Sequence, residues 1–333
     1  SMDRIGIIGT TTWGTTLGII NARENREVLL FARTQPQANK LSRDNENFRF
    51  VPQVPFPATM KITSSLRETV ERSQLIIFAV PAASLRGNAS QLSSVLSSEK
   101  VIVSATKGLE PKTGKRMTTV LQEELSLAEN KICVMSGPNL AKEIIQGKPS
   151  STVIASTDKN TATYAQNSLN SSNLRVYTNQ DVIGVELAGT LKNVVAIAAG
   201  ISDGLGFGDN AKASIITRGL AEITRLGVNL GANPTTFAGL AGMGDLIATC
   251  SSDLSRNKSL GRMLASGMSL DEITNTTENI LEGIGTTQEV IAMAKTMDLE
   301  LPLTQSVYSV LFDDVAPINA VADLMGRSLT SEN

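Results

Sequence analysis

Residues 4–14 read RIGIIGTTTWG, and this stretch decides the fold. Arg4–Ile8 is a short apolar run that stops at Gly9, and a helical stretch follows over roughly Thr12–Ala22. A strand that turns at glycine directly into a helix is where the dinucleotide fingerprint G-x-G-x-x-G sits. Gly9 and Gly14 take its first and third glycine positions, and Thr11 stands where the second belongs. The middle glycine normally lets a pyrophosphate approach the backbone, so Thr11 is expected to narrow that approach. Taken alone the pattern fits a plain tight turn equally well; the strand before it favours the fingerprint.

Working outward, Asn25 reads as a helix stop and Val28–Phe31 as a second strand. Further apolar runs are Leu75–Val80, closed by Pro81, then Val101–Ala105, and Ile132–Ser136, closed by Gly137-Pro138. Thr152–Ser156 and Leu174–Tyr177 complete the set. The runs are mostly continuous, as expected for strands covered on both faces. Helical segments such as Leu85–Leu96 and Thr118–Leu127 lie between them. Strand–helix alternation predicts an α/β fold with a doubly wound parallel sheet. After about Asp181 only helical periods, loops and glycine punctuation remain. The expected organisation is therefore a dinucleotide-binding domain over 1–182 and an all-helical substrate domain over 183–333.

Composition narrows the function. The 333 residues are 41% hydrophobic and 19% charged, with a net charge of −2, which is ordinary globular usage. Near-zero net charge gives no electrostatic case for nucleic acid or membrane surfaces. No apolar run reaches the roughly 18 residues of a membrane span, and no signal peptide is expected. The two cysteines, Cys133 and Cys250, suggest neither a disulfide framework nor a metal site, which fits a cytoplasmic setting. There is no histidine, so any acid–base chemistry must use another group.

Lysine is the leading candidate. Val185–Gly200, VELAGTLKNVVAIAAG, carries Lys192 and Asn193 inside an otherwise apolar segment. A buried ammonium is costly unless paired or used, and lysine moves protons near neutrality when desolvated. Three loops follow strand ends, where ligands bind in open parallel sheets: Val80–Ala82, Ser104–Pro111 with Lys107, and Ser136–Ala141 with Asn139. A helix opening near Asn139 would offer free N–H groups to an anion. Arg33, at the end of the second strand, reads either as a solvated surface arginine or as the partner of an NADP 2′-phosphate. Ser255-Arg256-Asn257 reads either as a helix N-cap followed by surface polar residues or as a phosphate fork.

The longer motifs carry a resemblance that bears on these readings. SATKGLEP (104–111), SGPNLAKE (136–143), DVIGVELAGTLKNVVAIAAGISDGLGFGDNAKA (181–213), ITRGLAEITRLG (216–227), TFAGLAGMGDLIATCSSDLSRN (236–257) and LEG (281–283) resemble bacterial NAD(P)-dependent glycerol-3-phosphate dehydrogenase. The resemblance covers nearly the whole chain. It implies a Rossmann-type domain followed by a helical substrate domain, NADPH or NADH as cofactor, and a homodimer. The reaction it implies is reversible reduction of dihydroxyacetone phosphate to sn-glycerol 3-phosphate for phospholipid synthesis. By position, Lys192 is the proton donor and acceptor, with Asn193 beside it, and Lys107 contacts substrate and nicotinamide. Asp245 and Thr249 orient the lysine and the substrate hydroxyls. Ser255, Arg256 and Asn257 bind phosphate, and Gly137 and Asn139 add substrate contacts. Gly9, Thr12, Trp13, Gly14, Arg33, Phe50, Ala141, Ile280 and Glu282 match cofactor positions, to which Lys107 and Arg256 also contribute. Phe50 stands where tyrosine is common, and asparagine at 139 where serine or threonine is usual. Two other functions share these features: a lysine-dependent hydroxyacid dehydrogenase, and a non-catalytic dinucleotide sensor suggested by Thr11.

Overall fold

The computed structural model of the chain describes residues 4–276 and 281–333. The chain divides into two compact units, Ser1–Glu110 with Lys115–Glu186, and Leu187–Asn333 with Pro111–Gly114.

The first unit is built on one sheet. Its strands are β1 (Arg4–Ile8), β2 (Glu27–Phe31), β3 (Met60–Thr63), β4 (Leu75–Phe78), β5 (Val101–Ser104), β6 (Ile132–Ser136), β7 (Ser150–Ala155) and β8 (Leu174–Asn179). The spatial order is β3-β2-β1-β4-β5-β6-β7-β8. Its helices are α1 (Thr12–Arg23), α2 (Gln35–Asp44), α3 (Leu66–Glu71), α4 (Ala82–Leu92), α5 (Met117–Leu125), α6 (Ala141–Ile145) and α7 (Lys159–Leu169). The sheet is doubly wound, as the strand–helix alternation predicts. One pair departs from the parallel expectation: β6 and β7 run antiparallel, with Met135 opposite Ile154. A parallel return needs a crossover built on a full helix, and the segment between these strands holds only the five-residue α6.

Alternate side chains of the central strands feed two separate cores. Ile5, Ile7, Leu75, Ile77, Val101 and Val103 belong to one apolar cluster. Ile8, Ile76, Phe78 and Ile102 belong to the other. Burial on both faces is why these strands read as continuous apolar runs. β3, with sequence MKIT, is only half-buried and lies at the sheet edge, so it carries no such run.

α8 (Val182–Gly204) passes from the first unit into the second, which begins at Leu187. The second unit continues with α9 (Gly208–Asn229), α10 (Pro234–Phe237), a π-helical turn at Leu240–Gly244, α11 (Asp245–Ser251) and α12 (Arg256–Ala265). It ends with α13 (Leu270–Thr276), α14 (Leu281–Thr296), α15 (Pro302–Phe312) and α16 (Pro317–Met325). No strand occurs in it among the described residues. By length and composition alone α8 would suit a membrane span, against the sequence expectation, but 89% of its most apolar window is buried in the fold. It is a core helix.

A buried carboxylate organises the far end of this unit. Leu301, the N-cap of α15, has no side-chain acceptor for the first-turn N–H groups. Glu222 of α9 supplies one, accepting from Leu303 N (3.0 Å), Thr304 N (2.8 Å) and Thr304 Oγ1 (2.6 Å). Burial pushes its carboxyl above the usual range, and the Thr304 and Leu303 bonds oppose that shift. Glu222→Ala leaves these donors buried without an acceptor and is expected to lower stability by about 3 kcal/mol. Denaturant unfolding checks this; an unchanged midpoint would remove Glu222 from that role.

Candidate active site

The turn between β1 and α1 is closely packed. Gly9 has φ 142°, and a Cβ there would collide with the Ala79 carbonyl; a Cβ on Gly14 would collide with the Gly9 carbonyl. Both glycines are therefore required. Thr11 is the N-cap of α1 with φ −86° and ψ −167°, a conformation any residue adopts. The missing glycine costs no backbone strain, and what a cofactor must accommodate is the threonine side chain. That side chain caps none of the first-turn N–H groups, which leaves them suited to a pyrophosphate.

The turn is held from a distance. Asn47 Nδ2 donates to Thr10 O (2.8 Å) and to Thr15 Oγ1 (2.9 Å), and Gln37 Nε2 donates to Thr10 Oγ1 (3.2 Å). Asn47 is buried and was not legible as a site residue, because its partners lie over 30 positions away. Thr12, Trp13 and Phe50 are half-buried, and the two aromatic side chains pack on the first core cluster. Arg49 sits 4.9 Å over the Phe50 ring. Arg33 is exposed, and its backbone N–H donates to Gln37 Oε1.

The three strand-end loops are tied to one another. Thr106 Oγ1 donates to Val80 O (2.8 Å), and Lys107 Nζ donates to Gly137 O (3.1 Å). Glu110, at the end of the Lys107 loop, accepts from Arg86 Nε (2.7 Å) and Nη2 (3.0 Å). A Cβ on Gly137 would lie 2.8 Å from Thr152 Cα, so glycine permits the close approach to β7. Asn139 is tied to the neighbouring strand. Its Nδ2 donates to Ser150 Oγ and Ser151 O (both 2.9 Å), so its amide hydrogens serve β7. The following helix starts only at Ala141, which is half-buried.

In the second unit Lys192 is buried, with 7% of its surface exposed, and it is paired. Its Nζ donates to Asp245 Oδ1 (2.8 Å) and Thr249 Oγ1 (2.7 Å), and Thr249 Oγ1 donates to the same Asp245 oxygen (3.1 Å). Asp245 and Thr249 stand four residues apart on α11, so one helix face presents both to α8. The ion pair and hydroxyl offset the cost of burying the ammonium. Asn193 is buried beside it. Burial pushes the Cys250 thiol on α11 up to about 12, and that of Cys133 likewise to about 12, so neither is a thiolate at neutral pH. Among the described residues no cluster of histidine, cysteine or carboxylate suits a metal ion.

Ser255 is the N-cap of α12, its hydroxyl accepting from Lys258 N (3.2 Å). That oxygen keeps its own hydrogen as a donor. Arg256 and Asn257 open the helix. Arg256 is exposed, and among the described residues its guanidinium has no hydrogen-bond or ion-pair partner. Asn257 is half-buried against α14: a Cβ on Gly283 would collide with its Oδ1. Glu282 is the neighbour of that glycine and is half-buried. Ile280 lies outside the described residues.

Comparison with known proteins gives a consistent result. The family model for the NAD-dependent glycerol-3-phosphate dehydrogenase N-terminus matches residues 4–162, and that for the C-terminus matches residues 181–322. A Dehalococcoides mccartyi protein named glycerol-3-phosphate dehydrogenase (NAD(P)+) is 47% identical, covering 99% of this chain and 93% of its own. A Chlorobium phaeobacteroides protein of the same name is 43% identical, covering 99% of each. The crystal structure of glycerol-3-phosphate dehydrogenase from Coxiella burnetii superposes with a TM-score of 0.92 at 35% identity, covering 98% of this chain and 99% of that one.

Proposed function

Because this chain belongs to the NAD-dependent glycerol-3-phosphate dehydrogenase family, we propose how its own residues carry the family's reaction. The reaction is NAD(P)H-dependent reduction of dihydroxyacetone phosphate to sn-glycerol 3-phosphate. When bound, the nicotinamide cofactor supplies the hydride. The glycine turn at Gly9 and Gly14 fits its pyrophosphate, and Thr12, Trp13, Phe50, Ala141, Ile280 and Glu282 are further contacts by family position. Lys192 delivers the proton to the carbonyl oxygen and takes it back in reverse. Asp245 and Thr249 hold the ammonium in one orientation, with Asn193 beside it. Lys107, Gly137 and Asn139 contact the substrate. Ser255, Arg256 and Asn257 bind its phosphate, which fixes the carbonyl for reaction.

The observation that carries this reading is the buried Lys192 ammonium bonded to both Asp245 and Thr249. A chain without histidine needs another proton carrier, and here one is already oriented. Family membership further supports a cytoplasmic homodimer that supplies glycerophospholipid synthesis. The test is nicotinamide oxidation followed by absorbance, with dihydroxyacetone phosphate and each cofactor in turn. Steady consumption of NADPH or NADH is expected; binding without turnover would point to a dinucleotide sensor instead.

Arg33 is assigned to the 2′-phosphate of NADPH. Arg33→Asp is expected to lower the NADPH over NADH ratio of kcat/KM by about tenfold. An unchanged ratio would leave Arg33 as surface charge alone.

A further inference from the structure

The residue after the phosphate trio is also charged, and it is more deeply buried than any of the three. Only 3% of the Lys258 side chain is exposed. Its Nζ reaches three acceptors: Ser251 O (3.2 Å), Asp203 Oδ2 (3.3 Å) and Asp253 Oδ1 (3.4 Å). These belong to the end of α11, the end of α8 and the loop between α11 and α12. Its backbone N–H donates to the Ser255 hydroxyl. One residue thus clasps the 251–255 segment at both ends, by ammonium at Ser251 and Asp253 and by amide at Ser255. That segment leads directly into Arg256 and Asn257.

The base of the clasp is tightly packed. A Cβ on Gly200 would collide with the Lys258 carbonyl, and one on Gly261 with the Ile197 carbonyl, so α8 and α12 touch backbone to backbone. Asp203 is also shared: Lys212 Nζ lies 3.1 Å away and Arg262 Nη2 3.8 Å away. Arg262 Nη2 also reaches Asp253 Oδ1 at 3.0 Å. Neither carboxylate therefore depends on Lys258 for a counter-charge. A buried ion pair is weak evidence for stability, since an apolar residue of similar volume is often as good. What an apolar residue cannot do is hold three oxygens from three segments in fixed positions.

The geometry points to Lys258 as a positioning residue for the substrate phosphate, which it serves by holding the 251–255 segment so that Ser255, Arg256 and Asn257 converge. The inference rests on the phosphate role given to Arg256 above. Lys258→Met keeps the side-chain volume and removes the three bonds. It is expected to raise KM for dihydroxyacetone phosphate by about tenfold or more, while KM for NADPH and kcat/KM for unphosphorylated dihydroxyacetone stay within about twofold. An unchanged KM for the phosphorylated substrate, or equal losses on both substrates, would overturn it. Arg256→Ala run alongside separates the two claims. If only Arg256→Ala raises that KM, Lys258 has no positioning role. If neither variant does, the phosphate reading itself fails. Should Lys258→Met not fold by circular dichroism, Asp203→Asn loosens the same clasp while leaving an acceptor, and its KM for dihydroxyacetone phosphate is expected to rise severalfold. No rise in that variant would equally overturn the inference.

Discussion

Lys192→Ala is expected to lower turnover of dihydroxyacetone phosphate by roughly 10³-fold, the range general acid catalysis contributes, while NADPH still binds. The hydrogen bonds of the lysine support this size of effect. The ammonium is held by Asp245 at 2.8 Å and Thr249 at 2.7 Å, and burial pushes the nearby Cys250 thiol up to about 12, which makes it a weaker acid than an ordinary lysine ammonium. Alanine also takes the ammonium away from a buried carboxylate that still accepts from the Thr249 hydroxyl, and losing one member of a buried pair costs about 3–5 kcal/mol of stability. Activity must therefore be compared with cofactor binding on the same folded sample, by fluorescence of bound NADPH. Lys192→Arg separates charge from proton transfer. It restores a cation opposite Asp245, but a guanidinium does not release its proton in this pH range. Low turnover with normal stability is the expected result, and wild-type turnover in either variant would remove Lys192 from the chemistry.

Arg256→Ala is expected to lower kcat/KM for dihydroxyacetone phosphate by roughly 100-fold, about 3 kcal/mol, through loss of a bidentate contact to phosphate. The guanidinium is exposed at the first turn of α12, so its removal leaves no unsatisfied protein group and should not disturb folding. The effect should be much smaller with dihydroxyacetone, which has no phosphate to hold. Steady-state kinetics on both substrates checks this. An unchanged KM for the phosphorylated substrate would instead favour a hydroxyacid dehydrogenase on the same two-domain plan.

Strands whose both faces are buried were legible as such. β1 and β6 run over Arg4–Ile8 and Ile132–Ser136, the limits their apolar runs suggest. β3 was not, because an edge strand of sequence MKIT, half of it accessible, has no apolar run to read. The direction of β7 was not, because strand composition is the same either way and the connecting path decides it. The charged site divides similarly. Lys192 stands out in sequence as a charge in an apolar segment, a local signal. Its partners lie 53 and 57 positions away, and family motifs rather than local pattern pointed to them. Asn47 and Lys258 carried no signal at all: a single polar residue in polar surroundings reveals neither its burial nor the distant segments it ties.

The most direct test of Lys192 as proton donor is a single turnover in which NADPH-loaded Lys192→Ala is mixed with dihydroxyacetone phosphate, with and without added methylamine. Hydride transfer is predicted to be slowed by roughly 10³-fold and to speed up in proportion to methylamine, which supplies the missing ammonium. Transfer at the wild-type rate without amine would contradict the account.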